Sequence, residues 1–422
     1  MAPGRPPRSV AVTDPQAETA VTIERIAAGG DGVGRWPDGR VVFVPRTAPG
    51  DRVVVTLALD RPRYLKGELQ RVVEPGPHRV TPSCAHYDDD QCGGCQLQHL
   101  DESAQQAAKR TIVGDALRRL AGLDVADPPI EGADEPWGYR RKITLSRAET
   151  GGFGFHRRQP LGSVFPLDHC RIAAPSLMEM WQVLRAHPEV IPRRADRLSL
   201  REDGTGGRHV VAHGVAPDGW PQSGACAALL ESAGIEASIW LADSPDGARR
   251  VAGPEARVAG LAFEQINPAM GARVRRDAVA RLGSLAGRHV WDLYAGIGET
   301  ASLLVEAGAA VSCVELAGDA VRSAPEQAGV RWFEGPAETV VPGLDPPDLV
   351  ITNPPRTGMG KAVIEALLAA APERIVYLSC DPATMARDIK RLAGGFVVTE
   401  VTAYDLFPQT AHVEAVTLLE RR

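Results

Sequence analysis

From residue 289 to residue 380 the chain alternates short apolar runs with helical stretches, and few folds accept that order. HVWDL runs through Asp292 into a loop carrying Ala295, Gly296 and Gly298, and a helix begins near Glu299. Three further runs follow, VSCVE (311–315), VRWFEGPAE (330–338) and DLVITNPPRTG (348–358), and IVYLSC is the fifth. Each is β-branched, aromatic or aliphatic and short enough for a buried strand. Strands separated by helices pair in parallel, and ligands then gather at the strand C-termini. We therefore expect an α/β domain with its site along that edge.

The loop chemistry narrows the ligand. Glycines allow a sharp turn and close approach of the backbone to a bound molecule. Glu315, ending the second run, is placed to bind ribose hydroxyls, and the loop after 330–334 can receive an adenine. A G-x-G followed by an acid on the next strand suits a dinucleotide as well as S-adenosylmethionine. AGIGET lacks the third glycine of the dinucleotide fingerprint, and an Asn-Pro-Pro turn after the fourth strand is typical of methyltransferases. S-adenosylmethionine is the favoured ligand.

Cys380 lies where the fifth strand ends. Asp381 offers an N-cap and Pro382 fits the first helical position, with ATMARDIKRL continuing at helical spacing. Amides at a helix N-terminus favour a thiolate, so we expect the thiol pKa to fall below its free value of about 8.5. A buried packing cysteine is the competing interpretation. Glu414 sits among apolar alternates in HVEAV, which points its carboxylate inward.

Five segments together carry a resemblance: FEQINPAM (263–270), DLYAGIGET (292–300), NPPRTG (353–358), YLSCDPATMARD (377–388) and FPQTAHVEAV (407–416). The chain resembles the RNA uracil-C5 methyltransferase family, in the 23S rRNA 5-methyluridine branch that carries an N-terminal TRAM domain and an iron–sulfur cluster. The resemblance implies a Rossmann-like class I methyltransferase domain. It also implies donor contacts from Gln265, Tyr294 and Glu315, with Glu299 nearby, and makes Cys380 the nucleophile and Glu414 the proton acceptor. Asn353 stands where the family usually has Asp, keeping a hydrogen bond at the donor site but losing a charge. The chemistry needs both reactive groups: thiolate attack on C6 makes C5 nucleophilic, and a base must remove the C5 proton after methylation.

Seven cysteines occur, and Cys84, Cys92, Cys95 and Cys170 form a set in CAHYDDDQCGGCQLQH and LDHCRIA. Without a signal peptide they are expected to be reduced, in a cytoplasmic protein. Four thiolates hold zinc or an iron–sulfur cluster, and C-x-x-C spacing favours zinc slightly. The resemblance implies a 4Fe–4S cluster ligated by all four. Seven residues separate Cys84 from Cys92, and the acidic DDD inside that gap is expected to bulge outward. Cys226 and Cys313 fit no constellation and are expected in the core.

Residues 1–17, rich in Pro and Arg, are expected to be disordered. Four or five short strands between 18 and 77 suggest a small barrel, which the resemblance makes a TRAM-like RNA-binding module. Residues 78–260 form an α+β central domain with a mixed sheet and an amphipathic helix at 103–122, and 261–422 form the methyltransferase domain. A net charge of −6 does not exclude RNA, because phosphate binding needs only a local basic patch. Candidates are Arg61, Arg63 and Lys66; Arg140, Arg141 and Lys142 beside a stacking Tyr139; and Arg157 with Arg158, while Arg193, Arg194 and Arg197 suit a solvated face. The expected partner is RNA, ribosomal first and transfer RNA second, for a monomeric enzyme without a membrane span. An RNA cytosine-C5 methyltransferase would carry two cysteines in PC and TC motifs, which are absent. An amino-group methyltransferase would place an aromatic where Arg356 stands. A catalytically weakened RNA-binding iron–sulfur protein has only Asn353 in its favour.

Overall fold

The computed structural model describes residues 18–160, 162–215, 219–244, 247–255 and 265–422. The expected N-terminal tail, Phe263, Glu264 and the boundary at 260–261 lie outside the described residues. Two compact units emerge: the described residues through Thr81 with Gln96–Ala108, and Pro82–Cys95 with Lys109–Arg422. Among the described residues no helix is long and apolar enough to cross a membrane.

In the first unit, β1 (Thr19–Ile26), β2 (Gly32–Arg35), β3 (Val41–Val44), β4 (Arg52–Asp60) and β5 (Tyr64–Glu74) close into a barrel in the order β1-β2-β3-β5-β4. Alternation along each strand sends Val21, Ile23, Val42, Val44, Val53, Val55 and Leu65 inward. Gly67 is required by closure, since a Cβ there would lie 2.2 Å from a Val55 methyl. Arg61, Arg63 and Lys66 are exposed at the β4–β5 turn, beside Tyr64, whose ring meets Phe43 edge-on.

The second unit holds two sheets. β6 (Ile130–Glu131) belongs to the larger one, described below. β7 (Lys142–Arg147), β8 (Phe153–His156), β9 (Val164–Pro166), β10 (Arg197–Glu202), β11 (Arg208–His213), β12 (Ser238–Ser244) and β13 (Gly247–Ala252) form a sheet ordered β13-β12-β11-β10-β7-β8-β9. Only β11 and β12 pair in parallel, so the sheet is mixed. Ile143, Leu145, Leu198, Leu200, Val210 and Ala212 pack with Leu177, Trp181 and Leu184 of the helix Pro175–Ala186. The alternate residues of the same strands, among them Lys142, Thr144, Ser199 and His213, form a polar opposite face.

The larger sheet comprises β14 (His289–Leu293), β15 (Ala310–Glu315), β16 (Val330–Glu334), β17 (Leu349–Thr352), β18 (Arg374–Ser379), β19 (Phe396–Tyr404), β20 (Glu414–Arg421) and β6, ordered β16-β15-β14-β17-β18-β20-β19-β6. β14 to β18 are mutually parallel, and β20 returns antiparallel beside β18. Both faces are covered: Trp291, Val350, Ile375 and Tyr377 enter one core, and Val290, Ile351, Val376 and Leu378 the other. This double burial is why the strands read as unbroken apolar runs. The helix Glu102–Ala116, continued by a π-helical turn to Ala121, places Ile112, Val113 and Leu117 in the first core. That segment and β6, assigned from sequence to the central region, thus pack into the larger sheet. Cys226 and Cys313 are fully buried in apolar clusters, as expected.

Candidate active site

Strand register builds the site. Parallel pairing aligns Leu293 with Thr352 and Thr352 with Tyr377, so Tyr294, Asn353 and Cys380 follow strands ending at one sheet edge. In the antiparallel pair, Ser379 faces Ala415. One further step along that ladder sets Cys380 across from Glu414, although they lie 34 positions apart in sequence. The helix after Cys380 starts as the sequence implies. Asp381 Oδ1 accepts the Thr384 amide at 2.9 Å, and Pro382 opens the first turn.

The electrostatics differ from the expectation. The Cys380 thiol pKa is raised, not lowered, first by burial and then by the neighbouring Glu414 charge. The nearby Arg356 guanidinium opposes both. Partial burial of the thiol outweighs the helix terminus, which acts only within its first turn. Glu414 is 6 % exposed, and burial lifts its carboxyl to about 8. The inward carboxylate expected from HVEAV is therefore present, held where ionisation is costly. Arg356 was missed as a functional group; its place in NPPRTG, two residues after Pro354, was the available signal. Its loop is pinned from below. Thr384 Oγ1 donates to Arg356 O at 2.9 Å, Arg387 to Thr357 O at 2.6 Å, and the Met359 amide to buried Asp388 at 2.8 Å.

Beside this pair lies a cradle that fits a methyl donor. Tyr294 (φ 63°), Gly296 (φ 60°) and Gly298 (φ 82°) turn β14 into the helix Glu299–Glu306. A Cβ at Gly296 would meet nothing within 4 Å, whereas at Gly298 it would strike Trp332 at 2.9 Å. Glu315 Oε2 accepts the Gly296 amide at 2.8 Å, and Oε1 the Ala317 amide at 2.8 Å, so this acid also shapes the loop. Two buried polar atoms at the cradle have no partner: Asp292 Oδ2 and Tyr294 Oη. Burial and then the Glu315 charge lift the Asp292 carboxyl to about 7. A buried orphan of this kind is costly unless a ligand satisfies it. Asp292 was read from sequence only as the end of a strand. Gln265 packs against Gly271, where a Cβ would come within 2.9 Å of it. Glu299 is held by Arg275 at 2.7 Å. Asn353 is exposed, and its backbone N–H donates to Leu293 O at 3.2 Å.

The four-cysteine set is drawn into one neighbourhood without closing around an ion. Cys84, Cys95 and Cys170 pack around Tyr139 and Ile172, and Cys92 and Cys170 border the core of the mixed sheet. Among the described residues, no three His, Cys, Asp or Glu side chains are grouped to hold a metal ion. The Ala173 amide donates to Cys170 O at 3.2 Å, and the Gly94 amide to the Cys92 sulfur at 3.4 Å. Within the DDD run, Asp88 and Asp89 are exposed, but Asp90 turns in to His86 at 2.6 Å and Arg157 at 3.0 Å. Asp90 thus corrects the expectation of a wholly outward bulge.

The basic candidates divide. Tyr139 is not a stacking platform: it is 6 % exposed, with its hydroxyl donating to Pro408 O at 3.0 Å. Arg141 pairs with Glu202, and Arg157 with Asp90. Arg158 Nε is buried without a partner. Arg193 and Arg194 are exposed.

A family model described as tRNA (uracil-5-)-methyltransferase matches residues 346–422, and a TRAM domain model matches 17–70. An RNA methyltransferase of uncharacterised function from Gloeobacter violaceus is 34% identical, over 99% of each chain. Another, from Protochlamydia amoebophila, is 31% identical over 94% of this chain and 96% of its own length. The chain belongs to the RNA uracil-5-methyltransferase family. A crystal structure of the Pyrococcus abyssi tRNA (uracil-54, C5)-methyltransferase with S-adenosyl-L-homocysteine superposes with a TM-score of 0.74 at 22% identity, covering 95% of this chain and all of that one. That likeness extends the shared fold from barrel to final strand. As a family member the protein is an RNA methyltransferase.

Proposed function

We propose that the protein methylates C5 of a uridine in RNA, using S-adenosylmethionine as donor. The observation that carries this reading is the antiparallel register that sets the Cys380 thiol across from the buried Glu414 carboxyl. Asp292, Tyr294, Glu315 and Gln265, with Glu299 and Asn353 at the rim, would hold the donor, which supplies an electrophilic methyl group on its sulfonium. Cys380 attacks C6 of the uracil, and the ring electrons move to C5, which becomes the nucleophile. Arg356 stabilises the thiolate before attack. Glu414, ionised, then removes the C5 proton, and the C6–sulfur bond breaks to return the thiolate and release 5-methyluridine.

A methyl-transfer assay with uridine-containing RNA tests the reaction. We expect Cys380→Ala to form no covalent adduct with 5-fluorouridine RNA, and Glu414→Gln to accumulate an adduct on ordinary RNA. An adduct persisting in Cys380→Ala would sink the assignment.

The barrel combined with the four cysteines favours a large-subunit ribosomal target. The transfer RNA reading is supported by the description of the matching family model. Mapping 5-methyluridine in both RNAs of a deletion strain decides between them. Cys84, Cys92, Cys95 and Cys170 would hold a 4Fe–4S cluster, whose thiolates spread around a cube and need not meet at one ion. Anaerobic purification tests this: a brown protein bearing iron and sulfide is expected, and a colourless zinc protein would overturn it. Both reactive groups come from one chain, in keeping with a monomer.

A further inference from the structure

One buried acid behind the active site takes no part in the chemistry described above. Asp388 is fully buried on the helix Pro382–Leu392, whose Met385, Ala386, Ile389 and Leu392 enter an apolar core. Stability alone does not call for a charge there, because an apolar replacement for a buried ion pair is often neutral or stabilising. Both carboxylate oxygens are nevertheless engaged. Oδ2 accepts the Met359 amide at 2.8 Å and the Tyr377 hydroxyl at 3.0 Å. Oδ1 accepts from Arg387 at 3.2 Å and from Arg391 at 3.4 Å.

These partners join the two segments that carry Arg356 and Cys380. Met359 lies in the loop after β17, and Tyr377 lies on β18, three residues before Cys380. Within the loop the Gly358 amide donates to Pro355 O at 2.8 Å, so Arg356 and Thr357 form the corner of a turn. The helix grips this turn step by step. Thr384 Oγ1 donates to Arg356 O at 2.9 Å, Arg387 to Thr357 O at 2.6 Å, and Arg391 to Met359 O at 3.5 Å. Thr384, Arg387, Asp388 and Arg391 follow i, i+3, i+4, i+7 spacing, which sets all four on one helix face. The approach leaves no slack. At Gly358 (φ 79°) a Cβ would stand 2.4 Å from Asp388 Oδ2 and 2.4 Å from the Thr384 methyl. The same helix begins two residues after Cys380, so thiol and turn are both referred to one rigid element.

We propose that Asp388 is a positioning residue: by tying Met359 to Tyr377 it holds the 355–358 turn, and with it Arg356, in place beside Cys380, so that the thiol can ionise. Glu414 on β20 opposes the thiolate and Arg356 on the turn favours it. A turn released from the helix carries the favouring charge away and leaves burial and Glu414 unopposed. The inference rests on the uridine-methylation reading only for the use made of the thiolate.

The test reads that thiolate without RNA, as the initial rate of iodoacetamide alkylation of the full chain across pH, followed at the Cys380 peptide by mass spectrometry. Arg356→Ala, which removes an opposite charge near the thiol, should slow alkylation at pH 7 by roughly tenfold. Asp388→Ala should act in the same direction by roughly two- to fivefold, with all rates converging on wild type at alkaline pH, where every thiol is ionised. Lys390→Ala, exposed on the same helix and outside the gripping face, should leave the profile unchanged. A purely structural role predicts the reverse, since a loosened site exposes the thiol and speeds alkylation at every pH. Melting temperature reports whether each variant is folded. Should Asp388→Ala fail to fold, Thr384→Val removes only the bond to Arg356 O and carries the test. Wild-type or faster alkylation in the folded variants overturns the positioning role. The wild-type adduct with 5-fluorouridine RNA separates the two readings: an adduct with unchanged alkylation profiles removes the positioning role alone, whereas slowed alkylation with no adduct keeps that role and removes the uridine chemistry.

Discussion

The two sheets of the second unit use their strands in opposite ways. The larger sheet is covered on both faces, and Tyr294, Asn353, Cys380 and Glu414 all stand at strand termini. The mixed sheet is apolar on one face, leaving Lys142, Ser199 and His213 arrayed across the other. A sheet end gathers a few groups at one point and buries them, which suits bond making. A sheet face spreads groups at strand spacing, about 4.8 Å apart, which suits a polymer. The cost also differs. At the sheet end charges are desolvated, and burial shifts Cys380, Glu414 and Asp292 toward their neutral forms.

The largest effect expected from this contrast is on turnover. Glu414→Gln should abolish product release while Cys380 still attacks, a loss of at least about 10²-fold in steady-state rate, typical of removing a general base. A variant retaining wild-type turnover would break the assignment of chemistry to the sheet end. Next comes Lys109→Met. Buried Lys109 pairs with Asp405 and donates to Phe407 O at 3.0 Å, anchoring the segment that leads to Glu414. Leaving Asp405 buried and unpaired should cost about 3–5 kcal/mol in denaturant unfolding.

Glu414 also sets a pH dependence. Its folded pKa of about 8 exceeds the ordinary carboxyl value of 4.5, so between those pH values the folded state holds a proton that the unfolded chain has released. Stability should therefore fall as pH rises through that window, by up to about 3 kcal/mol at pH 7. Glu414→Gln should melt higher than wild type at pH 8, and equal melting temperatures would show the carboxylate to be better solvated than its burial implies. The single-turnover rate of 5-methyluridine release should run the other way, rising toward pH 8 by up to about tenfold per unit as the base ionises. The smallest effect concerns Tyr139→Phe. Loss of its bond to Pro408 should cost about 1 kcal/mol, which a surface stacking residue would not show.

Much of the catalytic half was legible because double burial forces continuous apolar strands, and each ended at a recognisable glycine, acid, Asn-Pro-Pro turn or cysteine. The Asp381 cap and the inward Glu414 were equally local, visible in a few consecutive residues. The Cys380 pKa was not legible. Its sign depends on burial and on Glu414, and the helix terminus was the only influence visible in the sequence. Tyr139 failed for the same reason: an aromatic beside basic residues reads as a nucleic-acid platform until packing shows Pro408 against its hydroxyl. The helix at 102–116 was recognised, but its destination against β14 to β20 was not, since an apolar stripe does not name the surface it covers.

The sequence by itself determined the parallel α/β sheet, the barrel, the glycine turn, the strand-end place of Cys380 and the inward side of Glu414, because these rest on periodicity and local backbone chemistry. The tertiary structure alone decided that β20 runs back beside β18, which sets Glu414 across from Cys380 and Arg356 against the thiol. Strand register is a long-range choice made by packing, and the reactivity of that cysteine is a property of the neighbours it brings.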